Sequence, residues 1–193
     1  MVSAQDVLAF WLDEVGPSGW YKADDAVDQT IRDRFMSTWE RAADGGLGLW
    51  LTCPSECLAY VIVTDQFSRN MFRGEATAFS TDHLARAAAK RAIDRDWDLK
   101  IAEPARALFY MPLIHAENLA DQDRGVRCIH TRMPARGRDF LNDARVHREI
   151  IRRFGRFPYR NDALGRETTA PERQFFDQGG YGAIMQELKS SAA

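Results

Sequence analysis

Apolar side chains recur every three to four residues along almost the whole chain, and nowhere do they alternate over the length of a strand. That period lines up one face of a helix and gives a sheet no face to bury. Val7, Leu8, Trp11, Leu12 and Val15 form the first face, ended by Gly16-Pro17. Val27, Ile31, Phe35, Trp39 and Ala42 form the second, entered through Asp24-Asp25 and stopped at Gly45-Gly46. A third helix starts after Cys53, with Pro54 early and Glu56 in its first turn, and runs through Leu58, Val61 and Ile62 towards Arg69. Leu84, Ala87, Ala88 and Arg91 mark a fourth, capped by Ser80 or Thr81. A fifth follows Glu103-Pro104 through Leu108 and Phe109 until Pro112, which lacks an N–H and clashes with the carbonyl of Leu108. Helical stretches over 118–129 and 140–154 flank a loop at 133–137, and Gly155 caps the second. One short helix from Pro171 precedes Gly179-Gly180, and the tail frays from about residue 188. No internal repeat stands out. The expectation is one all-α domain over 1–193, with roughly seven to nine helices and antiparallel neighbours joined by short loops.

A chain of 193 residues is long enough to bury roughly 70% of its unfolded surface. Its net charge of −2 argues against a nucleic-acid partner or a polybasic membrane binder. No apolar run reaches the length of a membrane span, and the first residues lack the charge pattern of a signal peptide, so the expected location is the cytoplasm. Cys53, Cys57 and Cys128 make an odd set with no disulfide framework. Cys53 and Cys57 flank a helix start where a thiolate would be stabilised, although a C-x3-C pair alone reads first as packing. The only lysines are Lys22, Lys90, Lys100 and Lys189, so the cations are chiefly arginines, whose planar forks suit carboxylate and phosphate.

Three polar clusters interrupt the helical pattern: Asp65-Gln66-Phe67-Ser68-Arg69-Asn70-Met71-Phe72-Arg73, Pro112-Leu113-Ile114-His115-Ala116-Glu117, and Phe154-Gly155-Arg156-Phe157-Pro158-Tyr159-Arg160-Asn161. Charges inside a closing core are costly unless paired or used, so the clusters read as one buried, Arg-rich site. On a wheel of about 100° per residue, Leu58, Ile62, Asp65 and Arg69 share a face, and the apolar stripe runs into an acid–base pair. That pair either orients the helix end or aims the Arg69 fork at a ligand, with Asn70 and Arg73 beside it. Phe140, Ala144, His147, Ile151 and Phe154 share another face and put an imidazole in an apolar stripe, ordinarily the place of a hydrogen-bonded core histidine. His115 stands beside the Pro112 break. The histidines show no H-x3-H or HExxH spacing, so no metal or other cofactor is expected, while convergence of His115, His147 and a carboxylate from afar stays open. Glu117, Asp121 and Arg124 read as a helix-face salt network. The stretch from Arg145 to Arg166 is the most basic, and several of its arginines belong to a solvent face. There is no Walker A sequence, GxGxxG or GxSxG elbow.

Taken together, Val7-Leu8-Ala9-Phe10-Trp11, Asp28 with Ile31 and Phe35, the run from Asp65 to Gly74, Tyr110 to Glu117, Asp121-Gln122, Phe154 to Asn161 and Leu164-Gly165-Arg166-Glu167 resemble the bacterial family called domain of unknown function 924. The resemblance covers nearly the whole chain, from Val7 to about Phe176. It implies an α-helical, tetratricopeptide-repeat-like superhelix and transfers positions without roles. Ser68 stands where that family usually has Pro, Ala116 where Ser is frequent, and Tyr159 where His is frequent. The last departure weakens a metal site, since Tyr is a poorer ligand than imidazole.

The expected function is binding of a small anionic metabolite, bearing phosphate or carboxylate. Arg69, Arg73, Arg156 and Arg160 supply the forks, Asn70 and Asn161 set orientation, and Asp65 and Glu117 position the arginines. His115 or His147, with Glu117 near, are the catalytic candidates if a hydrolase or transferase reaction occurs. The rival is a tetratricopeptide-like scaffold that takes a peptide or a C-terminal carboxylate of a protein partner in its groove.

Overall fold

Ser3 and Asp6 close a capping box on the first helix, and from there the regular structure is helical, with no strand among the described residues. The computed structural model describes residues 2–190. Nine continuous runs of α- and π-helix occur among them, within the seven to nine helices expected. The chain divides into two compact units, Met1–Pro112 and Leu113–Ala193. The division falls at Pro112, the residue expected to break the pattern.

In the first unit, α1 (Ala4–Leu8) continues as a π-helical stretch, Ala9–Val15. Helix α2 (Asp25–Ala43) starts on Asp24, whose carboxylate accepts from the amides of Ala26 and Val27. Helix α3 (Pro54–Val61) has Pro54 in its first turn, then widens into a second π-helical stretch, Ile62–Phe67, before α4 (Ser68–Met71). Helix α5 spans Asp82–Asp94. Thr81 precedes α5 without capping it, because its hydroxyl donates to the Thr64 carbonyl at 2.6 Å. The stretch expected as a fifth helix is a 3-10 turn, Ala105–Phe109, followed by the single turn α6 (Met111–Ile114).

The two π-helical stretches explain where the first unit's polar atoms go. A turn closed at i→i+5 displaces carbonyls from the regular ladder. Side chains collect them: Trp20 Nε1 donates to the Trp11 carbonyl at 2.8 Å, Arg69 to the Asp65 carbonyl at 2.9 Å, and Thr81 to that of Thr64. Around them Phe10, Trp11, Phe35 and Phe67 pack ring on ring, with centroids 4.9 to 6.4 Å apart. Cys57 is buried in this unit, and burial pushes its thiol up to about 11, so it behaves as a packed apolar group.

In the second unit Asn118 caps α7 (Leu119–Arg132), which packs along α8 (Gly137–Phe154). Gly155 ends α8 in the left-handed conformation, φ +69°, as the sequence suggests. Helix α9 (Ala170–Asp177) has a capping box between Thr169 and Glu172. Helix α10 (Gly180–Ser190) starts on the second glycine of the Gly179-Gly180 pair, where no helix was expected. It continues past residue 188, while Ser191-Ala192-Ala193 fall outside the described residues. Val146, Ile150, Ile151, Phe157, Phe175 and Ile184 form this unit's core. No helix among the described residues is long and apolar enough to cross a membrane.

Candidate functional site

The ten candidate residues divide between the units: Asp65, Arg69, Asn70 and Arg73 in the first, His115, Glu117, His147, Arg156, Arg160 and Asn161 in the second.

In the first unit the second π-helical stretch and α4 present two carboxylate sites. Asp65 is fully buried and meets Arg69 at 3.1 Å, and Gln66 Nε2 donates to its other oxygen. The Arg69 fork is filled by Asp82, at 2.8 and 3.0 Å. Asp28, on α2, is buried and accepts from Asn70 Nδ2 at 2.6 Å and from Arg73 through Nε and an η nitrogen at 2.9 and 3.0 Å. These are closed bidentate pairs that tie α4 to α2 and α5. Asp28 and Asp82 were not singled out as site residues. Asp82 sits in the first turn of its helix, an ordinary place for an acid.

In the second unit Glu117 precedes Asn118, the cap of α7, so it does not share the helix face of Asp121 and Arg124. Glu117 instead accepts from both η nitrogens of Arg166, at 2.7 and 2.9 Å, and from the Phe157 amide at 2.8 Å. Burial alone would raise its carboxyl, but Arg166 and the Phe157 amide outweigh it and hold it below the usual range. Arg156 grips Glu172 at 2.6 and 2.8 Å, and Asn161 Nδ2 donates to the same carboxylate at 3.3 Å. Arg156 first, and then, against burial, the amide and hydroxyl of Thr169 draw Glu172 down to about 2. Most of the basic stretch is likewise matched: Arg148 with Asp123, Arg152 and Arg153 with Glu149, Arg153 also with Glu187.

What the second unit brings together is the histidine pair. The segment 114–117 is held at successive positions. Gln122 Nε2 donates to the carbonyls of Ile114 and Ala116, Arg160 donates to that of His115 at 2.9 Å, and Glu117 takes the Phe157 amide. Gly125 of α7 passes so close to Ile114 that a Cβ there would lie 3.0 Å from its Cγ1. His115, half-buried, is thereby set 6.4 Å, centroid to centroid, from the half-buried His147 of α8. His147 stands edge-on to Phe157 at 5.5 Å and to Tyr181 at 5.4 Å, and its Nδ1 lies 2.8 Å from the Asp143 carbonyl. Tyr181 donates to the Asp143 carboxylate at 2.6 Å, and the Arg160 guanidinium rests 4.5 Å from the Phe157 ring centre. Tyr159, half-exposed, stacks on the same ring. Asp143 and Tyr181 carry no sequence signal, since one is an acid on a helix face and the other follows a glycine pair. Among the described residues no group of three His, Cys, Asp or Glu side chains is placed to hold a metal ion.

Comparison with known proteins agrees with the all-helical architecture. The profile of a bacterial protein family of unknown function, number 924 among domains so designated, matches residues 7–180. A solved structure of a protein of unknown function from Agrobacterium tumefaciens is 41% identical, with the match covering 91% of this chain and 97% of that one, at a TM-score of 0.85. No curated protein matches. The chain belongs to this family of bacterial proteins.

Proposed function

We propose that this family member binds a small anionic metabolite in its second unit, at His115, His147 and Arg160. The observation that carries the reading is the clamped segment 114–117, which sets one imidazole against another and takes a hydrogen bond from Arg160, a residue only 7% exposed. Donors held in place before a ligand arrives lose little freedom when it binds. Arg69, Arg73 and Arg156 play the other part, because each fork already meets a carboxylate of its own unit with two nitrogens. They hold helices; they do not receive ligand.

Isothermal titration with inorganic phosphate and with short carboxylates tests this. The expected result is saturable 1:1 binding of an anion by the native chain, weakened about tenfold or more by His147→Gln and by Arg160→Lys, the loss of one charge-assisted contact. Arg73→Lys, in the first unit, is expected to leave affinity within about twofold. Loss of binding on Arg73→Lys, with His147→Gln silent, would return the site to the first unit. The packed α7–α8 hairpin favours a second reading, a tetratricopeptide-like scaffold with a peptide in its groove. That reading expects peptide binding indifferent to His147→Gln.

A further inference from the structure

We propose that a second binding site lies in the first unit, where the π-helical stretch Ala9–Val15 meets the start of α2, and that it takes a free α-amino acid with an apolar side chain. The site shares no residue with the anion site above and stands or falls separately.

The two elements and the turn that joins them enclose an open cleft of about 410 Å3, within the size range of small-molecule sites. Phe10, Val15 and Val27 give it apolar lining. Its wall is pinned before any ligand arrives. Trp20 is buried with its Nε1 on the Trp11 carbonyl, and the amides of Gly19 and Lys22 donate to the carbonyls of Gly16 and Gly19 at 3.0 and 3.1 Å. Gly19, itself in the lining, closes directly onto Val15. A Cβ there would lie 2.8 Å from Val15 Cγ1 and 2.9 Å from its carbonyl oxygen, so a larger residue would displace the wall. A wall held in this way loses little freedom on binding.

The charges on the cleft select the ligand. Glu14 lines it but is already matched, because Arg34 donates to both its oxygens at 2.8 and 3.3 Å while lying 4.7 Å from the Phe10 ring centre. Asp24 and Lys22 also line it, and neither forms an ion pair among the described residues, with the other or with a third group. Asp24 Oδ1 accepts the amides of Ala26 and Val27, which caps α2 and brings no cation. The Ser18 hydroxyl, in the same lining, has no hydrogen bond among the described residues. One cation and one anion thus share a cleft without pairing, beside apolar side chains. A zwitterion with an apolar tail answers all three features. Its carboxylate takes Lys22 and Ser18, its ammonium takes Asp24, and its side chain covers Phe10, Val15 and Val27. A plain carboxylate would answer Lys22 and be repelled by Asp24.

Calorimetry on the full chain tests this with L-leucine and L-phenylalanine. Each is set beside its deaminated acid, isocaproate or hydrocinnamate, and its decarboxylated amine, isoamylamine or phenethylamine. Saturable binding of at least one amino acid is expected, about tenfold or more tighter than either of its analogues. Lys22→Met and Asp24→Asn are each expected to weaken it about tenfold. Asn caps a helix as well as Asp does, so Asp24→Asn removes the charge and leaves the start of α2 intact. Asp25→Asn, one residue on and outside the lining, is expected to leave affinity within about twofold. In 1H–15N spectra the amides of Gly19, Lys22 and Val27 are expected to shift as the ligand binds. An acid or amine binding as tightly as its amino acid would overturn the zwitterion. Amino-acid binding indifferent to Lys22→Met and Asp24→Asn, or shifts confined to the second unit, would overturn the place. Binding of neither amino acid would remove this site and leave the phosphate titration of the second unit to be judged alone.

Discussion

Glu172 shows how a single side chain decides what an arginine does in this protein. Its two oxygens collect Arg156 twice, the amide and hydroxyl of Thr169, and Asn161. The carboxylate therefore joins the residue after the α8 cap to the first turn of α9, and Arg156 also donates to the Glu167 carbonyl at 2.8 Å. Glu172→Ala removes a helix cap and strands a guanidinium, and it is expected to destabilise the chain by about 2–3 kcal/mol. Glu172→Gln, which keeps a reach to Thr169 but no charge, should lie between. Urea denaturation of both variants measures this; a loss below about 0.5 kcal/mol would assign the pair to the weak surface class. The same reasoning covers Asp28 and Asp82, each the acceptor of a bidentate arginine. Arg160 donates to the His115 carbonyl, and its charge lies against the face of Phe157.

Helix ends were the legible part of the elements. Asp24, Pro54, Asn118 and Gly155 each act locally, through a side chain or a backbone angle, and each stands where its helix starts or stops. Gly155→Ala tests the most local of them. A Cβ there would meet nothing within 4 Å, so only the left-handed φ opposes it, and the expected cost is about 1 kcal/mol, read as a lowered thermal midpoint. An unchanged midpoint would mean that the end of α8 relaxes. The two π-helical stretches were illegible, because an extra residue in a turn is settled by what reaches its carbonyls, here Trp20, Arg69 and Thr81. The same holds for the site. Each histidine could be named from its setting, His115 beside Pro112 and His147 in an apolar stripe, but their meeting depends on Gln122 and Arg160 clamping segment 114–117. The partners of the arginines were half legible: Thr169 to Glu172 spells a capping box, while nothing local pairs Arg73 with Asp28.

Across the whole molecule, three carboxylates held below their usual range lie in the second unit. Glu149 is drawn down to about 2, first by the Arg152 hydrogen bond and then, against burial, by Arg153; Glu172 reaches about 2 and Glu117 is lowered by Arg166 and the Phe157 amide. The sign of the consequence follows from linkage. Between pH 4.5, their ordinary value, and about 2, the unfolded chain binds protons that the folded chain refuses. Stability from these groups is therefore complete above that window and is lost as pH falls through it. Asp6, in the first unit, is also lowered by Ser3, but it is exposed and holds only the first turn. All five tryptophans, Trp11, Trp20, Trp39, Trp50 and Trp97, belong to the first unit, so their emission reports that unit alone. Acid titration is thus expected to lower the far-UV circular dichroism first, with tryptophan emission following at lower pH. Added salt should bring the first step to higher pH, because it screens the partly exposed pairs of Glu149 with Arg152 and Arg153. Coincident curves would mean that the two units unfold as one, and that the acid-sensitive pairs of the second unit hold the first in place as well.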